Sequence, residues 1–328
     1  MGKLSGPVPD PVRRAARRFR RDPRLQELLL LGVFVAGSVP FWIRLLPHPA
    51  GDAVLYREGV VVWLGGGDPW LAGDPISRFA GTPLSLFVFA PAALLPVPLW
   101  AAVALAGSAA AAVYAVRALR LPIAWLFFPP LTAGIWTANP SVLMIALAVA
   151  ALGSVRSPLG WVLGALGCWV KVLVVLPLAA ERRWQALAVG GATAAVTILL
   201  APTLWLHYLA EVPVISATLA QNTHHSAAWY RAPWLIPPAI VALLVLATFD
   251  RRAVAWLLIP ALSPVVEYHW AVLMLPVAHP VLGLAAFVPD AAWPAVITLY
   301  VLVRWLARRR SIAAPVPTSG AAPEQITG

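Results

Sequence analysis

The sequence predicts an all-α polytopic membrane protein, and three observations carry this prediction. Of the 328 residues, 61% are hydrophobic and only 11% are charged, whereas a soluble domain has about half and about a quarter. The mean hydropathy of the whole chain is +0.81. The apolar residues fall into about 11 separate stretches, which is too many for a soluble enzyme with a single membrane anchor.

The alternation of apolar and polar stretches divides the chain into three parts. The first part is rich in arginine and faces anionic lipid, and the last is rich in Ser, Pro, Ala and Gly, so we expect it to be disordered. The middle part begins with a span at about 26–46. The predicted parts are a basic arm at 1–25, a membrane domain at 26–307 with outer loops at about 47–82 and 207–232, and a tail at 308–328.

Proline interrupts many of the apolar stretches, and several are shorter than the roughly 20 residues that a crossing helix needs. This pattern predicts broken, kinked or re-entrant helices, because proline frees backbone groups that neighbouring protein or a water-filled cavity must cover. We therefore expect about 9–11 transmembrane or re-entrant helices. The stretch 83–98 is predicted to re-enter, and 158–180 to form a short hairpin with Lys171 at its outer tip.

The arginine clusters predict the orientation, because basic loops stay in the cytoplasm. The N-terminus is then cytoplasmic and both long polar loops lie on the outer face, while the side of the C-terminus stays open. We attribute the net charge of +11 to these topology signals and to lipid headgroups rather than to nucleic acid. The single cysteine, Cys168, excludes a disulfide within the chain.

The informative residues in so apolar a chain are the few ionisable ones near the outer edge of the membrane. Asp52 precedes AVLYREGVVVWL, an interfacial helix, where it either caps the helix or serves a reaction. Glu58 lies on the solvated face of the same helix. Asp68 precedes a proline and indicates a turn. Lys171 either extends its ammonium to the membrane surface or binds an anion.

No nucleotide-binding loop, dinucleotide fingerprint or nucleophile elbow occurs in a fitting context. The paired His224 and His225 lack the spacing of a metal site. We therefore expect no cofactor and no obligatory metal.

Several motifs in order resemble a known family. The first loop reads D-x-x-x-Y and then GGGDPW, followed by FAGTPLSLFVFAPAALLPVPLW, NPSVLMIALAVAALG, GWVLGALGCWVKVLVVLP, NTHHS and LSPVVEYHWAVLMLP. This order is similar to that of the GT-C glycosyltransferases, in particular glycosyltransferase family 87, which uses polyprenyl-phosphate-mannose. The resemblance covers about residues 26–285 and implies a GT-C-like helical bundle whose first outer loop carries interfacial helices.

The resemblance also implies roles for particular residues. Asp52 matches the catalytic aspartate, with His269 as a second catalytic residue, and Lys171 matches the lysine beside the lipid phosphate. The chain departs from the family where FAGTP replaces the usual Tyr-x-Tyr-Pro-Pro, and where Trp replaces Tyr after Asp-Pro. The implied substrate-binding residues are Tyr56, Asp68, Trp70, Asn139, Asn222 and Glu267.

The implied function is transfer of a hexose, mannose by analogy, from a polyprenyl-phosphate donor to a glycolipid or glycan acceptor of the cell envelope. The expected location is the outer face of a bacterial cytoplasmic membrane, and the expected course is a single displacement with inversion. Two alternatives stay open: a transporter or lipid flippase, and a non-catalytic scaffold of an envelope-synthesis complex. A transporter predicts charges near mid-bilayer and two matching halves.

Overall fold

The computed structural model describes residues 22–47, 49–73, 78–154, 157–221 and 228–313, and it confirms the all-α prediction. In these ranges the extended backbone forms a single isolated bridge, between Gly73 and Arg78, and no strand. The α-helices are α1 (Pro23–Leu45), α2 (Gly51–Leu64), α3 (Pro83–Phe89), α4 (Val97–Ala118), α5 (Pro129–Trp136), α6 (Pro140–Gly153), α7 (Pro158–Val170), α8 (Val175–Ala180), α9 (Trp184–Leu200), α10 (Pro202–Gln221), α11 (Ala228–Arg231), α12 (Ile236–Ala247), α13 (Arg251–Leu262), α14 (Pro280–Gly283) and α15 (Trp293–Ala313).

Short 3₁₀ segments connect or extend many of these helices. The longest is Tyr268–Val277, which runs through one of the late apolar stretches. The others are Pro69–Leu71, Ala90–Leu94, Ile123–Phe127, Val172–Val174, Pro233–Leu235, Leu284–Phe287 and Asp290–Ala292.

Prolines begin seven of the described α-helices. Proline is the first residue of α1, α3, α5, α6, α7, α10 and α14. This position suits proline, because the first amide of a helix has no intrahelical partner and the ring already holds a helical φ. The apolar stretches are therefore broken into separate helices at their prolines, as the sequence predicts.

Within the described ranges, two helical segments are long and apolar enough to cross a membrane on their own, Val97–Ala118 and Asp290–Arg310. Two bent pairs raise that number to four if each pair is one span. One pair joins α5 to α6 with a bend of 113°, and the other joins α9 to α10 with a bend of 105°. These findings fit a membrane protein with broken spans, and the predicted total of 9–11 crossing or re-entrant helices stays a prediction.

Shorter apolar helices fill the space between these spans. The segment Pro83–Leu94 is one of them, and at about 1.5 Å per residue it is too short to cross a hydrocarbon core of about 30 Å. This length fits the predicted re-entrant segment. Helix α7 ends at Val170, and Lys171 adopts an extended conformation before the chain continues in Val172–Val174.

Three boundaries differ from the predicted ones. Helix α1 begins at Pro23, inside the predicted arm, because Asp22 accepts hydrogen bonds from the amides of Arg24 and Leu25. Helix α10 runs to Gln221 through much of the predicted second outer loop, since the apolar residues between its polar ones sustain it. The last helix runs to Ala313, into the predicted tail, with Arg309 stacked on Trp305 at 3.9 Å.

The buried core brings distant segments together around the bend between α5 and α6. Helix α6 packs against α4 and α7, and α5 packs against α1. The segment Tyr268–Val277 contacts α13, α5 and α6. This packing places the start of α6 beside the late SPVVEYHW motif.

Candidate functional site

The start of α2 is docked on the end of α5 by backbone hydrogen bonds. The amide of Ala50 donates to the carbonyl of Trp136 at 2.8 Å, and the amides of Asp52 and Ala53 donate to the carbonyl of Thr137 at 3.0 and 3.3 Å. Free amides at a helix start and free carbonyls at a helix end otherwise lack intrahelical partners. The two helix ends therefore satisfy each other.

This docking makes the predicted capping role of Asp52 wrong. The N-cap of α2 is Ala50, which has φ 58° and makes no side-chain capping bond, and Asp52 lies within the first turn. A carboxylate there is still favoured by the helix dipole. Because main-chain carbonyls already bind the amides, the carboxylate of Asp52 is available for other contacts. Glu58, on the same helix, is exposed as predicted.

Asn139 connects Asp52 to His269. It is the N-cap of α6, and its Oδ1 accepts from the amide of Ser141 at 2.9 Å. Its Nδ2 donates to Asp52 Oδ2 at 2.8 Å and lies 3.2 Å from His269 Nδ1. Three residues predicted for the site are thus joined, although they are separated by 87 and 130 positions in the chain.

The ring of His269 lies against Gly134 of α5. A Cβ built on Gly134 would be 3.5 Å from His269 Cδ2 and only 2.7 Å from Val142 Cγ2. The absence of a side chain at Gly134 therefore makes room for Val142, whereas a methyl group there would touch the His269 ring only at ordinary van der Waals distance. The second ring nitrogen, His269 Nε2, is buried and has no hydrogen-bond partner among the described residues.

Lys171 and Glu267 form the second half of the site. Lys171 Nζ donates to Glu267 Oε2 at 2.7 Å, and the two side chains are only 12% and 15% exposed. The same carboxylate oxygen accepts from the indole of Trp270 at 3.0 Å, and the Lys171 ammonium lies 5.9 Å from the centre of that ring. The snorkelling alternative for Lys171 is wrong in this structure, because its ammonium is bound by a carboxylate.

Tyr56 lies on the buried face of α2 between two aromatic rings. Its ring is 5.0 Å from that of Phe79 and 4.9 Å from that of Phe89, both edge-on. Burial raises the pKa of the Tyr56 phenol well above its ordinary value, and the charges of Glu267 and Asp52 raise it further. The phenol therefore stays protonated and faces the two acidic residues of the site.

Two of the predicted substrate-binding residues have structural roles. Trp70 is fully buried, donates its indole N–H to the carbonyl of Gly81 at 3.0 Å and packs on Tyr208. Asp68 accepts from the amide of Trp70 at 2.9 Å, as expected of an aspartate that begins a turn. The Trp70 side chain therefore packs the loop, and its predicted contact with substrate stays a prediction. Asn222 lies outside the described residues.

Sequence reasoning missed two residues near the ion pair. Trp270 follows His269 directly, but its apolar surroundings indicated only a packed aromatic. Asp290 is 8% exposed, interacts electrostatically with Glu267, and has an Oδ2 without a hydrogen-bond partner among the described residues. In the sequence, Asp290 stands out only as an acidic residue just before the last apolar stretch.

The site therefore combines a carboxylate, a neutral amide, an imidazole and an ammonium, and these come from separate parts of the chain. A partly exposed carboxylate can accept a proton, and a lysine in a partly dry setting can stabilise a developing negative charge. Within the described part of the chain, no three His, Cys, Asp or Glu side chains are grouped as metal ligands would be.

No protein-family model, curated protein or solved structure matches this chain.

Proposed function

We propose that this protein is an integral membrane glycosyltransferase that transfers a hexose, mannose by analogy, from a polyprenyl-phosphate donor to a glycolipid or glycan acceptor. The observation that carries the proposal is the chain of contacts from Asp52 through Asn139 to His269, beside the Lys171–Glu267 pair. These residues match, in order, the motifs of the GT-C resemblance. The proposed location is the outer face of a bacterial cytoplasmic membrane, with a role in building the cell envelope.

In the proposed reaction Asp52 is the general base. Asn139 occupies Oδ2 of its carboxylate, so Oδ1 accepts the proton of the acceptor hydroxyl. The acceptor oxygen bonds to the anomeric carbon while the bond from that carbon to the phosphate oxygen breaks. The polyprenyl phosphate leaves with the electron pair. A single displacement of this kind inverts the anomeric configuration.

Lys171 is proposed to bind the phosphate of the donor while Glu267 holds its ammonium in place. An ammonium has three N–H donors, and Glu267 takes one of them. The others can donate to phosphate oxygens as the negative charge on the leaving group grows. In this proposal Glu267 positions Lys171 and does not bind the sugar directly.

The test is Asp52→Asn, assayed in membrane vesicles with labelled polyprenyl-phosphate mannose. The substitution preserves shape and an oxygen that can accept from Asn139, but it removes the charge and the basicity. We expect transfer to fall by about 10²–10⁴-fold, the usual contribution of a general base. Donor binding should change little.

The matched control is Glu58→Gln on the same helix, which removes an exposed carboxylate and should leave transfer unchanged. Equal transfer by Asp52→Asn and the unmodified protein, at equal amounts in the membrane, would remove Asp52 as the base. Equal losses of transfer in Asp52→Asn and Glu58→Gln would mean that the effect comes from the overall charge of α2 and not from Asp52 as the base.

A further inference from the structure

The orientation of the Asn139 side-chain amide is fixed by two neighbours that agree. The backbone amide of Ser141 is a donor, so the Asn139 atom 2.9 Å away from it is the oxygen. The carboxylate of Asp52 is an acceptor, so the Asn139 atom 2.8 Å from it is the nitrogen. If the amide were reversed, its nitrogen would face the Ser141 amide, donor against donor. Its oxygen would then face the Asp52 carboxylate, acceptor against acceptor.

The amide nitrogen of Asn139 has two hydrogens, and its two contacts use both. One points to Asp52 Oδ2 and the other to His269 Nδ1, 3.2 Å away. A ring nitrogen that accepts a hydrogen bond carries no proton, so the proton of the neutral imidazole lies on the other nitrogen. We propose that Asn139 is a positioning residue that holds His269 as the neutral tautomer protonated on Nε2.

This tautomer makes His269 a hydrogen-bond donor towards the ligand and not a second base. Nε2 is the ring atom that is buried without a partner among the described residues. A buried N–H is costly to leave unpaired, so an incoming oxygen acceptor is favoured there. Given the proposed function, on which this one step rests, the acceptor is a phosphate oxygen of the polyprenyl-phosphate donor. The tautomer itself does not depend on that function.

The wild-type protein in detergent micelles, labelled with ¹⁵N-histidine, tests the tautomer directly. The His269 signals are identified among those of the six histidines by their loss in His269→Gln. We expect the nitrogen shifts and couplings of a neutral ring protonated on Nε2 at neutral pH. A proton on Nδ1, or on both nitrogens, would overturn the proposal without any variant being needed.

Asn139→Asp tests whether Asn139 sets the tautomer. The carboxylate can still accept from the Ser141 amide, but it faces Nδ1 with an acceptor, so the proton should move to Nδ1 or the ring should become doubly protonated. The matched control is Ser141→Ala, which removes a buried hydroxyl with no partner in the described part of the chain and keeps the backbone contact. An unchanged tautomer in Asn139→Asp, or an equal change in Ser141→Ala, would contradict the assignment to Asn139.

The ligand step is tested by adding a short-chain polyprenyl phosphate to the labelled wild-type protein, with the matching polyprenol as the control. We expect the His269 Nε2 signal to shift with the phosphate and not with the alcohol. A shift with both lipids, or with neither, removes the phosphate as the acceptor of this bond. Failure of the vesicle transfer assay would overturn the proposed function, whereas the wild-type nitrogen spectrum judges the tautomer separately.

Discussion

Lys171 and Glu267 are 96 positions apart in the chain, yet they form an ion pair of 2.7 Å with both side chains largely buried. A buried pair of this kind is costly to break, because removing one partner leaves the charge of the other buried without compensation. The pair links the break after α7 to the segment before Tyr268–Val277. It therefore fixes the position of the His269 backbone, two residues beyond Glu267.

The first prediction concerns this pair. Lys171→Met alone should lower the free energy of unfolding by about 3 kcal/mol, because it removes the ammonium that donates to the largely buried Glu267 carboxylate. The double variant Lys171→Met/Glu267→Gln should recover most of that loss, since glutamine can still accept from Trp270. Denaturant unfolding in detergent micelles measures both values.

The control for this comparison is Arg252→Met, which breaks a 3.3 Å pair with Glu181 at an arginine that is 74% exposed. Glu181 itself is only 13% exposed, but water screens the charge of so exposed an arginine, so we expect a smaller loss than that of Lys171→Met. A double variant that is no more stable than Lys171→Met would contradict the assignment of the loss to the charge of the Glu267 carboxylate.

The second prediction concerns the glycine against the His269 ring. Gly134→Ala places a methyl group 2.7 Å from Val142 Cγ2 and 3.5 Å from His269 Cδ2. The β-branched valine has little freedom to move aside. We expect a loss of about 1–3 kcal/mol in the free energy of unfolding, because Val142 at the start of α6 must shift. Transfer should also slow, since Asn139 caps the same helix and contacts both Asp52 and His269.

Gly107→Ala, in α4, is the matched control because a Cβ there meets nothing within 4 Å. Alanine within a helix should be neutral or stabilising by up to about 1 kcal/mol. If Gly134→Ala behaves like Gly107→Ala in stability and transfer, the close packing of Gly134 on Val142 does not support the site.

The third prediction separates structural from substrate-binding roles in the first loop. Trp70→Phe removes the bond to the Gly81 carbonyl and should cost about 1–3 kcal/mol of unfolding free energy. Asp68→Ala removes the cap on the Trp70 amide and should cost about 1 kcal/mol. Neither change should alter the KM for the lipid-linked donor in the vesicle assay. A raised KM at unchanged stability would restore the substrate-binding interpretation.

The sequence predicts the helical class and the breaks at proline because both depend on local composition. The predicted importance of Asp52, Lys171 and His269 follows from the rarity of ionisable residues in so apolar a chain. The contacts of Asp52 and His269 with Asn139, and of Lys171 with Glu267, agree with this interpretation. The chemical roles of these residues stay predictions.

The errors have a common physical origin in tertiary contacts. Asp52 fits a helix cap locally, but the carbonyls that bind its helix come from the end of α5, more than 80 positions away. Lys171 has no acid near it in sequence, and the partner supplied by the fold could not be inferred from periodicity. The burial of Trp70, which its motif does not indicate, likewise depends on Gly81 and Tyr208.

The junction between α2 and α5 is made of main-chain atoms, so short of proline no substitution at its own residues deletes its hydrogen bonds. The placement of Asp52 opposite Asn139 is therefore robust to mutation of the surrounding side chains. For the same reason the junction is a poor hinge, because opening it would strand several amides and carbonyls at once. If the protein takes the proposed lipid-linked donor, other helices must move around this fixed point to admit it.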